Sequence, residues 1–183
     1  MVARREGGDG SRRPAARISQ RAHAASDEAR YRIDAQIGRG GMASVHRAYD
    51  TARGQSVALK RMELPAFLQP RATPPERRTS LESVTELSVR ESAKRRAQLV
   101  GLFQREYTTL AQLAHPCIVE VYDYGLIGDQ PYYTMELLTG SDLEQLGRVS
   151  WQRACAILRD VASALTLLHA RRLLHRDVSL RNV

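Results

Sequence analysis

Cysteine and lysine are scarce in this chain of 183 residues, and no stretch of it is apolar enough to cross a membrane. Its two cysteines, Cys117 and Cys155, form no Cys-x-x-Cys pair, and no histidine cluster accompanies them. Reduced thiols are therefore favoured over a disulfide or a metal site. Every apolar run is shorter than the roughly 18 residues of a membrane helix, and the arginine-rich start lacks the apolar core of a secretory signal. These absences predict a cytoplasmic protein without a membrane partner.

Aromatic residues make up only 5% of the chain, which bears on its net charge of +8. The positive charge concentrates in two stretches. Residues 1 to 30 hold seven arginines against four acidic residues, and residues 71 to 98 hold six arginines and Lys94 against four glutamates. Neither stretch alternates aromatic with basic residues, as surfaces that stack on bases do. Nucleic acid is therefore the least favoured of the partners considered.

Lysine occurs twice, at Lys60 and Lys94, against 26 arginines. Lys60 ends the apolar segment VALK, which is typical of a β-strand. A compact charge on a flexible stem suits contact with phosphate oxygens, whereas a planar guanidinium is suited to bidentate contacts. The alternative is a strand-end lysine that extends into solvent, which is the most common situation for this residue type.

The segment GRGGMASV, from Gly38 to Val45, precedes this strand. Glycines at 38 and 40 allow two strands to turn tightly and let backbone amides approach phosphate oxygens without an intervening Cβ. By itself the pattern is a weak signal and favours an ordinary glycine-rich hairpin.

The segment HRDVSLRNV, from His175 to Val183, places an aspartate and an asparagine five positions apart. This spacing suits phosphoryl transfer. Asp177 would orient a hydroxyl nucleophile and accept its proton, and Asn182 would supply an oxygen to a magnesium ion.

Taken in order, these motifs resemble the protein kinases, and the resemblance covers roughly residues 30 to 183. The resemblance is strongest to the bacterial serine/threonine kinases, in particular the long multidomain kinases of social soil bacteria. It rests on the segments HRDVS, FQREYTTLAQLAHP and YYTMELLTG. The resemblance implies an α+β fold: a kinase-like small lobe of antiparallel sheet and one helix, then a hinge and the first helix and catalytic loop of a large lobe.

The resemblance also implies the roles of individual residues. Lys60 would pair with Glu106 on the following helix, although an exposed glutamate on a solvated face is the alternative reading. ATP and Mg²⁺ are the implied cofactors. Met135 would be the gatekeeper, Glu136 and Leu138 would offer backbone groups to adenine, and Asp142 would contact the ribose. Asp177 would be catalytic and Asn182 a metal ligand. The remaining expected nucleotide contacts are Gly38, Arg39, Gly40, Gly41, Met42, Ala43, Ser44, Val45 and Ala58.

Several positions depart from the family pattern. Ala43 stands where a third glycine is expected, Cys117 where asparagine is frequent, and Ser179 where serine/threonine kinases carry a lysine that steadies the transferred phosphate. Either another cation replaces this lysine or the chain works without it, and tyrosine specificity stays open. No Asp-Phe-Gly follows the catalytic loop. We therefore expect a fragment of a longer kinase that is inactive alone.

Apolar periodicity predicts two helices. One carries Leu99, Leu102, Phe103, Leu110 and Leu113, and the other runs from Trp151 to about Arg171, capped by Ser150. The apolar face of the second helix is expected to comprise Ala154, Ile157, Leu158, Val161, Leu165 and Leu168 and to remain exposed, which favours self-association. The expected small-lobe core is Val45, Ala58, Leu110, Val121 and Met135.

The predicted organisation is a disordered basic tail over residues 1 to 29, a small lobe over 30 to 135 with an insertion at about 66 to 92, and an incomplete large lobe over 136 to 183. Two functions follow. The first is an ATP-dependent serine/threonine protein kinase, and the second is a kinase-derived module that binds nucleotide or a protein without catalysis.

Overall fold

The computed structural model of the chain describes residues 29 to 64, Leu68 and residues 82 to 183. The five strands are β1 (Tyr31–Arg39), β2 (Ala43–Asp50), β3 (Gln55–Met62), β4 (Val121–Ile127) and β5 (Gln130–Glu136). The helices are α1 (Glu82–Ala111), α2 (Leu143–Leu146) and α3 (Trp151–Ala170), followed by a 3₁₀ turn at Leu180–Asn182. The predicted basic tail and most of the predicted insertion lie outside the described residues.

The strands form one antiparallel sheet in the order β1-β2-β3-β5-β4. The first three strands follow each other in sequence because short turns connect them, whereas α1 separates β3 from its neighbour β5. This arrangement confirms the predicted α+β class with an antiparallel sheet and one long helix.

Two apolar clusters cover the two faces of the sheet. The first joins the sheet to α1 and contains Met62, Leu64, Phe103, Tyr107, Val121 and Tyr133. The second contains Tyr31, Ala48, Val57, Leu59 and Tyr132. Of the predicted core residues, Ala58 and Val121 are buried and the other three are half-buried. Sequence periodicity missed the tyrosines, which fill much of both clusters.

Helix α1 begins at Glu82, so the last part of the predicted insertion, residues 82 to 92, is helical. The glutamates, leucine and arginine of this segment favour a helix, whereas its serines, valines and threonine do not. Within α1, Phe103 is buried but Leu102 is 58% exposed, so its assignment to the core stripe was wrong. Adjacent helical residues point about 100° apart, and Phe103 takes the inward direction. Tyr107, one turn further on, is the buried residue that the stripe omitted.

Helix α3 runs over nearly the predicted range, and the Ser150 side chain accepts a hydrogen bond from Arg153 N at 3.3 Å, as a cap should. Ala164 and Leu168 are its buried residues. Leu158, on the face that was expected to remain exposed, is 66% exposed, whereas Leu168 of the same face is buried. Self-association through this helix stays a prediction. Among the described residues, no helix has the length and apolar character needed to cross a membrane.

Two hydrogen bonds connect the end of α1 and the segment after it to α3. His115 Nε2 lies 3.0 Å from Ser163 Oγ, and Arg171 Nη1 donates to the carbonyl of Gln112 at 2.7 Å. The small lobe is thereby joined to the first long helix of the following segment.

A charged cluster fixes the start of β1. Asp50 is fully buried, and Arg30 donates to both of its carboxylate oxygens, at 2.9 and 2.7 Å. The same guanidinium donates to Asp123 on β4 at 2.8 Å. Burial alone would raise the pKa of Asp50, but the hydrogen bonds and charge of Arg30 lower it below its ordinary value. Arg30 therefore links the start of β1, the end of β2 and β4.

Arg30→Met should destabilise the fold by about 2 kcal/mol. Removing one partner of a buried pair costs about 3 to 5 kcal/mol, and the partial exposure of Arg30 reduces this figure. Urea unfolding measures the loss, and Arg32→Met on the exposed side of β1 is the matched control. Equal stability of the two variants would contradict the assignment.

Acid should remove the contribution of Asp50. Its pKa in the folded chain is lower than the unfolded value of about 3.9, so the stabilisation is complete above that value and is lost as the pH falls through the folded-state pKa. Melting temperatures measured from pH 6 down to pH 3 should fall more steeply for the unmodified chain than for Asp50→Asn. If the melting temperatures of the two proteins fall equally with pH, Asp50 is not the origin of the acid sensitivity.

Candidate active site

The glycine-rich segment forms the turn between β1 and β2. Gly38 pairs with Val45 in the ladder, and Gly40 N donates to the carbonyl of Ala43 at 2.8 Å. None of the three glycines of this turn has a positive φ. A Cβ would make only ordinary contacts at Gly38 and Gly40 and would meet nothing within 4 Å at Gly41. The fold itself therefore does not require glycine here, which favours close approach by a ligand.

Other parts of the turn are held by its neighbours. Arg39 Nη2 donates to Glu63 Oε2 at 3.0 Å, and Glu63 N donates to the carbonyl of Met42 at 3.0 Å. A hydrogen bond with Ser44 is the largest cause of the lowered pKa of Glu63, and the charge of Arg39 adds to it. Ser44 is fully buried, and its hydrogen bond with Glu63 helps to hold the turn in place. Ala43 and Val45 flank it, and both are half-buried.

The structure brings Lys60 and Glu106 together. Lys60 Nζ on β3 lies 2.7 Å from Glu106 Oε1 on α1, and the two side chains are 25% and 44% exposed. Val45 on β2 is the direct neighbour of Lys60 across the sheet, so the ammonium lies on the same face as the end of the glycine turn. This arrangement places a positive charge on the face of the sheet where the glycine turn ends.

Sequence reasoning missed a third member of this group. The hydroxyl of Tyr133 on β5 donates to the same Glu106 oxygen at 2.8 Å. Its ring centroid lies 5.6 Å from Lys60 Nζ. Tyr133 is adjacent to Lys60 in the β3–β5 register, a relationship that only the sheet topology reveals.

The predicted adenine-side residues lie on β5 and directly after it. Met135 is half-buried and is paired with Ala58 across the sheet. Glu136 N donates to the carbonyl of Glu120 at 2.8 Å, and Leu138 is half-buried. Asp142 caps α2, accepting a hydrogen bond from Gln145 N at 2.9 Å. Its predicted contact with a ribose stays a prediction.

A second group forms on the catalytic-loop segment. Asn182 Nδ2 donates to Asp177 Oδ2 at 2.9 Å and to the Asp177 carbonyl at 2.8 Å. Arg176, directly before Asp177, has a φ of 62°, which is costly for a residue with a side chain. Such strain is concentrated at functional sites. The amide nitrogen of Asn182 orients the carboxylate, and the other end of the amide is an oxygen of the type that Mg²⁺ binds.

An open cavity of about 580 Å³ adjoins Asp177. Its remaining lining residues are Glu144, Ser179, Leu180, Arg181 and Asn182. Arg181 Nη2 donates to Glu144 Oε1 at 3.2 Å, which joins the catalytic loop to α2. Leu143 N also donates to the carbonyl of Val183 at 3.1 Å. Arg181 is the cation of this lining, and the motif comparison did not single it out.

The described part of the chain holds no cluster of three or more histidine, cysteine or acidic side chains suited to a metal. The amide oxygen of Asn182 is nevertheless a hard ligand, which fits Mg²⁺ better than a transition metal. Mg²⁺ in phosphate-transfer sites takes only one or two protein ligands and completes its shell with phosphate and water. The residues present therefore fit a nucleotide-bound magnesium ion.

Comparison with known proteins identifies the class to which this fold and site belong. The model of the protein kinase domain matches residues 31 to 183, so the chain belongs to the protein kinase family. The relatives are bacterial serine/threonine-protein kinases. PknE of Mycobacterium bovis is 34% identical over 157 residues, and PknD of Mycobacterium tuberculosis is 32% identical over the same length. The resemblance to kinases of social soil bacteria stays a prediction.

A solved structure supports the fold. The crystal structure of a mutant form of the Mycobacterium tuberculosis PknI kinase domain matches with a TM-score of 0.57 and 27% identity. The match covers 85% of this chain and 54% of the PknI chain. The matches to PknE and PknD cover 84% of this chain but only 23% and 20% of those proteins. The chain thus spans about a quarter or less of the curated relatives.

Proposed function

We propose that this chain carries the nucleotide-binding and catalytic-loop part of an ATP-dependent serine/threonine protein kinase. The observation that carries the proposal is the Lys60–Glu106 ion pair of 2.7 Å, located on the face of the sheet where the glycine turn ends. A lysine held by a carboxylate beside exposed glycine backbone suits the α- and β-phosphates of ATP. The family membership and the serine/threonine kinase relatives support the same reading.

The nucleotide would lie between the glycine turn and the end of β5. Gly40, Gly41 and Met42 at the tip would approach the phosphates, and Val45 and Ala58 would contact the base from the sheet. Met135 would limit the depth of the base pocket. Glu136 and Leu138 would bond adenine through their backbones, and Asp142 would reach the ribose from its capping position.

Asp177 would orient the acceptor hydroxyl and take its proton, since its carboxylate is held by Asn182 and borders an open cavity. Asn182 would contribute its amide oxygen to Mg²⁺. When bound, this ion neutralises phosphate charge as the phosphoryl group moves. The acceptor is a hydroxyl of a protein that can enter the cavity.

Arg181 is the proposed replacement for the phosphate-steadying lysine that is absent at Ser179. It lines the same cavity as Asp177 and already has a carboxylate partner in Glu144. A guanidinium can exchange a carboxylate for a phosphate because both offer two oxygens to its paired donors. Arg181 would therefore supply the positive charge that the family pattern places at position 179.

Lys60→Met should weaken the binding of Mg-ADP by the 183-residue chain at least about tenfold. A hydrogen bond to a charged group contributes about 1.5 to 3 kcal/mol, and about 1.4 kcal/mol corresponds to a factor of ten. Isothermal titration calorimetry measures the affinity. Lys94→Met is the matched control, because it removes the other lysine, which is exposed on α1.

Undiminished affinity in Lys60→Met, with an unchanged melting temperature, would contradict the proposed site. A similar loss in Lys94→Met would show instead that net charge, rather than a positioned lysine, governs binding.

The alternative function is a kinase-derived module that binds nucleotide or a protein without catalysis. It is favoured by Ser179, which stands where the family pattern has the lysine that steadies the transferred phosphate. The two proposals share the nucleotide site and differ in phosphoryl transfer.

Incubated with γ-labelled ATP, Mg²⁺ and a generic protein acceptor, the 183-residue chain should transfer no more label than its Asp177→Asn variant. Neutralisation of the phosphate charge by metal ions accounts for much of the rate acceleration in phosphoryl transfer. The aspartate of an Asp-Phe-Gly segment, which binds such a metal ion, is not among these residues. Turnover that exceeds the variant by a clear margin would show that another group supplies this ligand.

A further inference from the structure

Tyr133 makes two kinds of contact with the ion pair. Its hydroxyl donates to Glu106 Oε1 at 2.8 Å, the same oxygen that lies 2.7 Å from Lys60 Nζ. The centroid of its ring lies 5.6 Å from that ammonium, within the range of a cation–π interaction. One carboxylate oxygen thus accepts from two donors on neighbouring strands.

The ring of Tyr133 is fixed against α1 on both sides of Glu106. Its centroid lies 5.2 Å from that of Phe103 and 6.0 Å from that of Tyr107. Phe103 precedes Glu106 by one turn, and Tyr107 follows it directly. Tyr133 is only 2% exposed, so its hydroxyl has a single direction fixed by packing. This direction leads to the Glu106 carboxylate.

The ion pair by itself is weakly constrained. The Glu106 side chain is 44% exposed, and pairs between solvent-exposed charges contribute little because water screens them and both side chains lose rotamer freedom. A buried hydroxyl has already lost this freedom. Burial, followed by the charge of Glu106, raises the pKa of Tyr133, so the hydroxyl remains a proton donor across the physiological range.

We propose that Tyr133 is a positioning residue, whose hydroxyl holds Glu106 in place so that Lys60 remains paired and directed along the nucleotide face. The hold on Glu106 follows from the contacts alone. Its consequence for nucleotide binding rests on the proposed function.

The scarcity of lysine allows a direct test without nucleotide. Brief acetylation with acetic anhydride, followed by peptide mass spectrometry, gives the labelling rate of Lys60 relative to the exposed Lys94. A paired ammonium reacts slowly because its nitrogen is held against the carboxylate and is only partly accessible to the reagent. Tyr133→Phe, which keeps the ring, should raise the Lys60 to Lys94 ratio about fivefold, approaching the ratio of Glu106→Gln.

Tyr124→Phe is the matched control. Tyr124 belongs to the same aromatic group, with its centroid 5.4 Å from that of Tyr107, whereas the tyrosine hydroxyl that donates to Glu106 is that of Tyr133. The Lys60 to Lys94 labelling ratio of Tyr124→Phe should equal that of the unmodified chain. A Tyr133→Phe ratio that stays at the unmodified value, while Glu106→Gln raises it, would overturn the proposal.

Ligand binding separates this proposal from the proposed function. Tyr133→Phe should weaken Mg-ADP binding about fivefold and leave adenosine binding unchanged, because only the phosphates contact Lys60. It should cause no further loss in a Glu106→Gln background. Unchanged ADP affinity in Tyr133→Phe would contradict the positioning role. If the unmodified chain binds neither ligand, the proposed function fails, and the labelling ratio alone decides the role of Tyr133.

Discussion

The apolar packing of α1 against the sheet, around the Lys60–Glu106 contact, is the interaction on which the arrangement of the small lobe depends. The Lys60–Glu106 contact joins β3 to α1, two elements whose paired residues are 46 positions apart in the chain. Around it, the sheet and the helix bury Phe103, Tyr107 and Tyr133 in a common cluster. Each large side chain buried there contributes about 1.5 to 3 kcal/mol, which exceeds the worth of a partly exposed ion pair. Apolar packing therefore holds α1 against the sheet. The ion pair determines only that Lys60 and Glu106 face each other between them.

Much of this arrangement is predictable from the sequence because it rests on local patterns. The strand VALK, the glycine turn and the capped helix beginning at Trp151 each carry a periodicity or a residue type with one favoured structure. The partner of Lys60 was predictable by resemblance to the family, since Glu106 lies on the following helix. The roles assigned to these residues in nucleotide binding remain proposals.

Other features escaped sequence reasoning for physical reasons. Tyr133 reaches Glu106 only because β5 lies beside β3, and a register between strands far apart in sequence leaves no local pattern. The inward direction of Phe103 over Leu102 is decided by the tertiary packing of α1, since both residues are apolar. Leu168 of α3 belongs to the apolar face that was expected to remain exposed, yet it is buried, because periodicity reports amphipathicity but not whether a partner is present. Arg181 became a candidate only when its neighbours around the cavity were known.

The two groups of candidate residues are held by different kinds of interaction. Lys60, Glu106 and Tyr133 lie on two strands and a helix that share one apolar cluster, and this cluster deforms little because interiors are closely packed. The link from the small lobe to α3 includes single hydrogen bonds, such as His115 to Ser163 and Arg171 to the Gln112 carbonyl, and each contributes only about 1 kcal/mol. A nucleotide bound to the first group would therefore meet a preformed site. The position of its terminal phosphate relative to Asp177 depends on the weaker connection, so orientation of the two lobes, more than the local geometry of either, should govern whether transfer can occur.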